Sequence, residues 1–322
     1  MGHHDPSRKA VAIEIDPDYG GPSLLGRIVR VRLRYATGGC QPASVIVKFQ
    51  ARASDREAGI YRLLAESELG CVPKLIGAFD RGTLLIEDLW PLQPGSQLEG
   101  CTLEQARQVL TLLATVHGRY WGSERVPSLQ PEQFASAIRV NMAQCWESFA
   151  GRYRELLGDT AGDFRWMCRN AGTVSAHRLS EPTTLFHGDV HMENILFGPD
   201  GRRQPVLLDW QLAGRGLAAN DVSFFMLKSL SVELRRARED ELLREYYGQL
   251  PGWVHRTYPF GAFTLDYRAC AMRSMVSAVM LVGPRFADRQ DQPRLADAVA
   301  GRVIAAVGDL RPVEAIGRAG VA

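Results

Sequence analysis

The sequence lacks an excess of charge of either sign, because its 38 Lys and Arg residues are almost balanced by 36 Asp and Glu residues. This balance gives no support to a strongly basic nucleic-acid-binding protein. Long apolar runs are lacking too, and the most apolar stretch, around residues 275–282, is too short to span a bilayer. We therefore expect neither a nucleic-acid partner nor a membrane partner.

Paired cysteines are also missing from the sequence. The six cysteines are scattered, and no two of them form a CxxC motif. Residues 1–9 are polar and contain no apolar signal-peptide core. These features indicate reduced thiols in a cytoplasmic protein, and they disfavour a metal site or a redox pair built on cysteine.

The N-terminal part of the chain is rich in predicted strands. Helical spacing predicts one helix in it, over 55–69. The strands follow from alternating or β-branched patterns over 27–35, 44–49, 75–79 and 83–89.

The C-terminal part is mainly helical in pattern, and Thr102 with Gln105 forms a capping box at its first helix. Further helices are predicted over 131–157, 161–179, 221–247 and 264–282, with a short strand pair over 195–197 and 206–208. The fold class is therefore α+β with two lobes. These are a small β-rich N-lobe over 1–89, a Pro- and Gly-rich linker over 90–100, and a larger, mainly helical C-lobe over 101–322.

The most informative segment is HGDVHMEN over 187–194, which is followed by Asp209 after the strand pair. The turn between the two strands is expected to bring Asn194 near Asp209. Their oxygen atoms suit Mg²⁺, which keeps other positions for phosphate oxygens. Asp189 is placed to accept a hydroxyl proton and to orient the attacking oxygen. Together these residues predict a phosphoryl-transfer site, in which positioning and charge neutralisation supply most of the catalysis.

Such a site also needs a cation on the nucleotide phosphates. Lys48, in the predicted strand 44–49, is the candidate, and Glu57 on the following helix is placed to pair with it. Taken alone, Lys48 is typical of a solvated strand and Glu57 of a helix surface. The order Lys, Glu, Asp, Asn, Asp along the chain, with the spacing from Asp189 to Asn194, matches the protein-kinase template.

The segment HGDVHMEN, with Asp209 in LLDWQ, resembles the aminoglycoside phosphotransferase and choline kinase-like superfamily. The segments EAGIYRLL (57–64), LATVHGRYW (113–121) and DWQLAGRGLAANDVSFF (209–225) resemble its ecdysteroid-kinase-like branch and the bacterial relatives of that branch. The resemblance covers most of residues 20–285. It implies a two-lobed kinase-like fold, Mg²⁺ with ATP or GTP as cofactors, and phosphorylation of a hydroxyl group on a small molecule.

By position, the resemblance implies that Asp189 is the catalytic base and that Asn194 and Asp209 hold Mg²⁺. It implies that Lys48 contacts the α- and β-phosphates and that Glu57 orients it. The other implied roles are a hinge that bonds the adenine, around Glu87 and Leu89, and support of the loop by His187, His191 and Asp221.

The residues alone leave alternatives for some of these positions. His187 and His191 have the spacing of metal ligands, although the glutamate of an HExxH motif is missing. Asp221 also fits the N-cap of a helix. The arginines of 235–244 are either a solvated helix face or a site for a phosphate-bearing substrate, and they do not suit a polycationic aminoglycoside.

The sequence departs from the kinase template at the phosphate loop, because no GxGxxG motif is present. The nearest candidate is the segment 20–26. There Ser23 and backbone amides would contact the phosphates, although Pro22 removes one donor.

The prediction is accordingly a cytoplasmic small-molecule kinase with its nucleotide between the lobes. The expected acceptor is an antibiotic or another natural product, which would make the protein an antibiotic-resistance enzyme by analogy. Alternatives are a metabolic kinase for a sugar, a choline-like or a sterol-like alcohol, and a nucleotide-binding pseudokinase. We expect the helices of 131–179 and the region around Tyr258, Phe260, Tyr267 and Arg268 to line the acceptor site. The apolar face of 272–282 is expected to lie in the core.

Overall fold

The structure is a computed structural model in which two compact units, Met1–Leu92 and Gln93–Ala322, are distinguished by their internal contacts. The boundary falls within the predicted linker. The residues that the structure describes are 10–16, 19, 22–23, 26–35, 42–50, 55–67, 69–79, 82–129, 142, 145–199, 204–283 and 292–318.

The first unit is built on an antiparallel sheet with the strand order β1-β3-β4-β6-β5, and β2 pairs with β3. The four strands predicted from the sequence are confirmed as β3, β4, β5 and β6, whereas β1 and β2 were not predicted. Strand bounds are β1 Ala10–Ile15, β2 Pro22–Ser23, β3 Gly26–Tyr35, β4 Ser44–Gln50, β5 Leu75–Phe79 and β6 Thr83–Glu87.

Helix α1 spans Arg56–Ala65 and places Glu57, Ile60, Tyr61 and Leu64 on one buried face, as the 3.6-residue period requires. The prediction of a helix to residue 69 was too long. Ser67 explains the earlier end, because its backbone N–H and its hydroxyl both donate to the carbonyl of Leu64. These bonds replace the next step of the helical ladder.

The second unit is mainly helical and packs around the long helix α10, Phe260–Met280, which contacts α7, α11 and α12. The expectation that its apolar face belongs to the core is confirmed, since Met272, Met275, Val276 and Val279 are all buried. Among the helices that the structure describes, none is long and apolar enough to cross a membrane. The helix bounds are α2 Leu103–Tyr120, α3 145–152, α4 Arg154–Leu157, α5 Ala161–Arg169, α6 Ala171–Arg178, α7 Ala218–Ser229, α8 Val232–Gly248, α9 Gly252–Thr257, α11 Gln292–Leu310 and α12 Pro312–Arg318.

Helix α7 is buried along its whole length. The predicted single stretch 221–247 is in fact α7 and α8, separated at Leu230 and Ser231. Ser231 begins α8 as its N-cap, because its side chain accepts a hydrogen bond from the backbone of Leu234. Helix α7 begins before Asp221, at Ala218 with Leu217 as N-cap, so the N-cap alternative for Asp221 was wrong.

Short strands complete the second unit. Strand β9 (Ile195–Phe197) pairs with β10 (Val206–Leu207), which confirms the predicted strand pair. Strand β7 (Gln93–Pro94) adds to β9, so part of the predicted linker belongs to this sheet. A separate pair, β8 (Thr184–Phe186) with β11 (Gly214–Gly216), was not predicted.

The arginines of α8 form ion pairs with nearby carboxylates. Arg235 is buried and contacts both Glu239 and Asp309, and Arg236 contacts Asp309 as well. Arg238 pairs with Glu241 and Arg244 with Asp240. Helix α11, which carries Asp309, was not predicted, and so the sequence could not show where these arginines find partners.

The capping box at α2 has the predicted geometry. The side chain of Thr102 accepts from the backbone of Gln105, and the side chain of Gln105 accepts from the backbone of Thr102. We expect Thr102→Ala to destabilise the second unit by about 1 kcal/mol, and to lower the thermal midpoint by about 2 °C. The matched control is Thr115→Ala on the same helix, whose hydroxyl only bonds the carbonyl of Thr111. Equal midpoints for the two variants would contradict the assigned role of the cap.

Candidate functional site

In the first unit, the structure brings Lys48 and Glu57 together. Lys48 lies on β4 and its Nζ donates to Oε1 of Glu57 at 2.8 Å, with both side chains buried. Gln50, on the same face of β4, donates to the other oxygen of Glu57 at 2.6 Å. A strand and a helix therefore fix the Lys48 ammonium, which suits a cation that must meet a phosphate at a set position.

The predicted hinge lies at the end of β6. The backbone N–H of Glu87 donates to the carbonyl of Lys74, and the side chain of Glu87 accepts from the backbone N–H of Lys74. The carbonyl of Leu89 accepts from Leu92. Ser23 lies in β2 opposite Gly26, and its side chain and much of the segment 20–26 fall outside the described residues.

In the second unit, the segment 187–194 leaves the end of β8 through a sharp turn. Gly188 has a φ of 86°, and a Cβ at this position would come 2.5 Å from the carbonyl oxygen of Leu212. Both the backbone angle and the space exclude other residue types. The turn sets the direction in which the following residue, Asp189, leaves the strand.

The turn is held from below by Asp221 of α7. Its carboxylate accepts the backbone N–H of His187 at 2.6 Å and that of Gly188 at 2.8 Å. Burial raises the pKa of Asp221, but the contacts with His117 and with the backbone N–H of His187 outweigh burial and hold the pKa below its ordinary value. The carboxylate is therefore ionised and fully used in positioning the loop.

Two residues behind Asp221 were not assigned a role from the sequence. Nε2 of His117, on α2, lies 3.3 Å from Asp221, and Nδ1 of His117 lies 2.7 Å from the hydroxyl of Tyr246 on α8. All three side chains are buried. The segment LATVHGRYW pointed to this helix through the family resemblance, but no local pattern shows that His117 faces Asp221.

His187 links the two strands that flank the site. Its Nε2 donates to the carbonyl of Leu208 at 2.8 Å, and its Nδ1 accepts the backbone N–H of Asp189 at 3.2 Å. Burial lowers the pKa of His187, although nearby carboxylates oppose the shift. The ring also packs on Trp210, at 4.5 Å between centroids. A neutral, hydrogen-bonded His187 accordingly supports the loop.

Asn194 ties Asp189 to the rest of the segment. Its amide nitrogen donates to the backbone carbonyl of Asp189 at 3.0 Å, and lies 3.4 Å from Oδ2 of that residue. His191 Nε2 lies 3.1 Å from the same amide and 3.5 Å from Asp189 Oδ2. His191 thus contacts Asp189 directly, which is a closer relation than the packing role expected for it.

The electrostatic surroundings keep the carboxyl group of Asp189 ionised. Burial raises its pKa, but the nearby His191, Lys228 and Arg273 outweigh burial and bring the pKa well below its usual range. Lys228 and Arg273 lie on α7 and α10 and had no predicted role. An ionised carboxylate at this position can accept a hydrogen bond from a hydroxyl group and orient it.

Asn194 and Asp209 lie at adjacent ends of the β9–β10 pair, as predicted. The backbone N–H of Leu208 donates to the carbonyl of Asn194, and Asp209 follows with a left-handed backbone at φ 63°. This angle is uncommon for a residue with a side chain and is enriched at functional sites. The sequence signal for the pair was the turn between two short strands.

The donor set fits Mg²⁺ bound together with phosphate oxygens. The amide nitrogen of Asn194 donates to the carbonyl of Asp189, so its amide oxygen faces away from that bond. This oxygen and the carboxylate of Asp209 are hard ligands of the type that Mg²⁺ prefers. Within the part of the chain that the structure describes, no group of three or more His, Cys, Asp or Glu residues could hold a metal ion. One carboxylate and one amide oxygen are the kind of partial shell that Mg²⁺ completes with water and substrate phosphates.

Two of the aromatic residues that were expected to line an acceptor site, Tyr258 and Tyr267, lie in the core instead. Tyr258 and Tyr267 are both buried, and the hydroxyl of Tyr267 donates to Glu239. The side chain of Arg268 donates to the carbonyl of Leu310. Their side chains serve packing and hydrogen bonding within the helical unit, and the expectation for Tyr258 and Tyr267 was wrong.

With this geometry established, the chain can be compared with known proteins. The model of the ecdysteroid kinase-like family matches residues 123–257. The resemblance recognised from the motifs is thereby confirmed. The matched range contains the loop with Asp189 and Asn194, as well as Asp209 and Asp221. No curated protein sequence matches this chain.

Solved structures of small-molecule kinases share the fold. An ethanolamine kinase from Plasmodium vivax has a TM-score of 0.56 at 11% identity, over 90% of this chain and 82% of that one. A choline/ethanolamine kinase family protein from Mesorhizobium loti has a TM-score of 0.52 at 16% identity, over 94% and 93%. LicA, the choline kinase of Streptococcus pneumoniae, in complex with AMP has a TM-score of 0.51 at 16% identity, over 91% and 93%. The predicted kinase-like fold is confirmed.

The bonds of Asp221 lead to a prediction for Asp221→Asn. The amide group of Asn would face at least one of the backbone N–H groups of His187 and Gly188 with a donor, leaving that buried group without an acceptor. We expect the variant to lose about 2–3 kcal/mol of stability, and to show faster hydrogen exchange at those two amides. The control Asp240→Asn removes an exposed carboxylate that is paired with Arg244. It should lower the free energy of unfolding by less than about 1 kcal/mol.

The same variant has a predictable dependence on pH. Because the folded pKa of Asp221 is depressed, its stabilising effect is complete above the ordinary Asp pKa of about 3.9. The effect is lost as the pH falls through the folded pKa. The difference in unfolding free energy between the wild type and Asp221→Asn should thus be full at pH 7 and shrink in acid. A difference that is constant or grows in acid would contradict the ionised state of Asp221.

Proposed function

We propose that the protein is a Mg²⁺-dependent phosphotransferase that moves the γ-phosphoryl group of ATP or GTP to a hydroxyl group of a small molecule. The observation that carries this proposal is the arrangement of Asp189, Asn194 and Asp209 around a loop that Asp221 fixes. A pseudokinase would be expected to have lost one of these groups or Lys48, and all are present. The kinase names of the structures with this fold support the same reaction class.

The surroundings of each residue support a role for it in this reaction. Asn194 and Asp209 would hold Mg²⁺, which neutralises phosphate charge when it is bound. The Lys48 ammonium, held by Glu57, would contact the nucleotide phosphates. Asp189 would accept a hydrogen bond from the acceptor hydroxyl and orient its oxygen towards the γ-phosphorus. As the new P–O bond forms, Asp189 would take the hydroxyl proton, and the bond from the γ-phosphorus to the bridging oxygen would break to release the nucleoside diphosphate. The AMP complex of LicA supports a nucleotide ligand for this fold.

For the acceptor, we propose an antibiotic or another hydroxylated natural product in a cytoplasmic reaction. The match to the ecdysteroid kinase-like family supports an alcohol as the acceptor. The alternative of a choline-like alcohol is supported only by the names of structures that share the fold. Acceptor identity is a property of the site and not of the fold, and so it requires a direct screen.

The reaction class is tested with Asp189→Asn. We expect the wild type to consume ATP or GTP in a Mg²⁺- and acceptor-dependent manner against a panel of macrolides, aminoglycosides, nucleoside antibiotics, sugars, sterols and choline. The variant should lose about 10²–10⁴-fold in turnover while its nucleotide affinity stays close to that of the wild type. Asp240→Asn, at an exposed position, should behave as the wild type. Full turnover by Asp189→Asn would remove this residue from the reaction.

The metal site is tested with Asp209→Asn. A carboxylate that holds Mg²⁺ contributes to binding of the nucleotide only when the metal is present. We therefore expect about 10-fold or more weaker binding of Mg²⁺–ATP, which corresponds to the loss of one charged contact. Binding of ATP in excess EDTA should be almost unchanged, and calorimetry measures both. If the two affinities fall equally, Asp209 does not act through the metal.

A further inference from the structure

Helix α7 presents one polar stripe to the segment 187–193. Asp221, Phe224 and Lys228 are three and four residues apart, a spacing that places them on one face of a helix. Asp221 contacts the backbone of His187 and Gly188, and the charges of Asp189 and Glu193 act on Lys228. The stripe therefore runs along the loop, with its cation near the proposed base.

A second cation reaches the same stripe from α10. The guanidinium of Arg273 lies 4.6 Å from the centroid of the Phe224 ring, and Nζ of Lys228 lies 4.2 Å from it. Arg273 also approaches the carbonyl of Gly188, at 3.4 Å. Two positive charges thus share one aromatic ring at the start of the loop. The charge of Arg273 acts against that of Lys228, and an anion placed near both would relieve this repulsion.

Among the residues that the structure describes, no carboxylate lies within ion-pair distance of either cation. Lys228 donates only to the hydroxyl of Ser277, at 2.9 Å. Asp221 is used by backbone amides and His117, and Asp189 by Asn194 and His191. Burial lowers the pKa of Lys228 to about 8, as expected for an ammonium group without a close counter-ion.

The arginines of α8 make the contrast clear, because each one in the stretch 235–244 has a carboxylate partner. Lys228 is buried, whereas Arg273 is partly exposed and can be approached by a ligand. We propose that Arg273, with the charge of Lys228 beside it, forms an anion subsite at the catalytic loop that receives a phosphate or carboxylate group of the acceptor. This proposal rests on the phosphotransferase function and adds the charge of the substrate to it.

The test is calorimetric titration of the full-length protein with inorganic phosphate, in the presence of Mg²⁺ and a saturating non-hydrolysable ATP analogue. We expect phosphate to bind to the wild type, and Arg273→Gln to weaken that binding about 10-fold or more. Arg273→Lys should retain part of it. The control Arg256→Gln removes an exposed guanidinium on α9 and should leave the affinity unchanged.

Titrations with the ATP analogue and with AMP distinguish a phosphate group of the acceptor from the γ-phosphate of the nucleotide. Phosphate binding that persists with the ATP analogue supports a subsite for the acceptor. Binding that the analogue abolishes, but AMP does not, assigns the cations to the γ-phosphate of the nucleotide and overturns the proposal. No phosphate binding by the wild type, or equal binding by Arg273→Gln, also overturns it. The titration needs no turnover, so its failure is distinct from a failure of the kinase assay.

Discussion

The buried carboxylate of Asp221 holds the backbone from which Asp189 projects. It accepts two consecutive backbone N–H groups at the turn after β8, and His117 supports it from behind. A charge can be buried in this way only when several donors replace the water it loses. Removal of the Asp221 carboxylate would therefore lower the stability of the fold strongly. This rigidity suits a reaction in which the protein positions reactants and performs little covalent chemistry itself.

Helix α7 places that carboxylate, and its complete burial has a second consequence. Because α7 is packed on all sides, its side chains have little freedom to move with solvent or ligand. The stripe of Asp221, Phe224 and Lys228 carries a carboxylate in the first turn of the helix and an ammonium group in the last, an order that the helix dipole favours at both ends. The same helix thus fixes the shape of the loop 187–194 and contributes to the electrostatic potential around it.

The site residues predicted from the sequence are those whose contacts are local. Asn194 and Asp209 meet through one short strand pair, which the turn between the strands indicated. Lys48 meets Glu57 between a strand and the next helix, and the order of the whole set of residues along the chain indicated that pair. His117 contacts Asp221 across 104 positions of the chain, and Arg273 contacts Gly188 across 85 positions. No periodicity indicates such contacts. The strands β8 and β11 were missed for a related reason. A pair of three-residue strands forms because of its tertiary neighbours, and its β propensity is too weak a signal to predict it.

The distribution of charge bears on which acceptor the site could bind, whereas the fold does not. Arginine is frequent in this chain, but the arginines of α8 are neutralised by adjacent carboxylates and act weakly at a distance through solvent. Lys228 and Arg273 act near Asp189 in surroundings of low dielectric constant, where a charge has a far stronger effect. If Asp189 receives the acceptor hydroxyl as proposed, a cationic acceptor would be repelled by these two side chains and an anionic acceptor would be attracted by them. Exclusion of the wrong charge contributes to specificity as much as a favourable contact does. Two cations without carboxylate partners in the described structure are thus better explained by an anion that arrives with a ligand than by the stability of the folded chain.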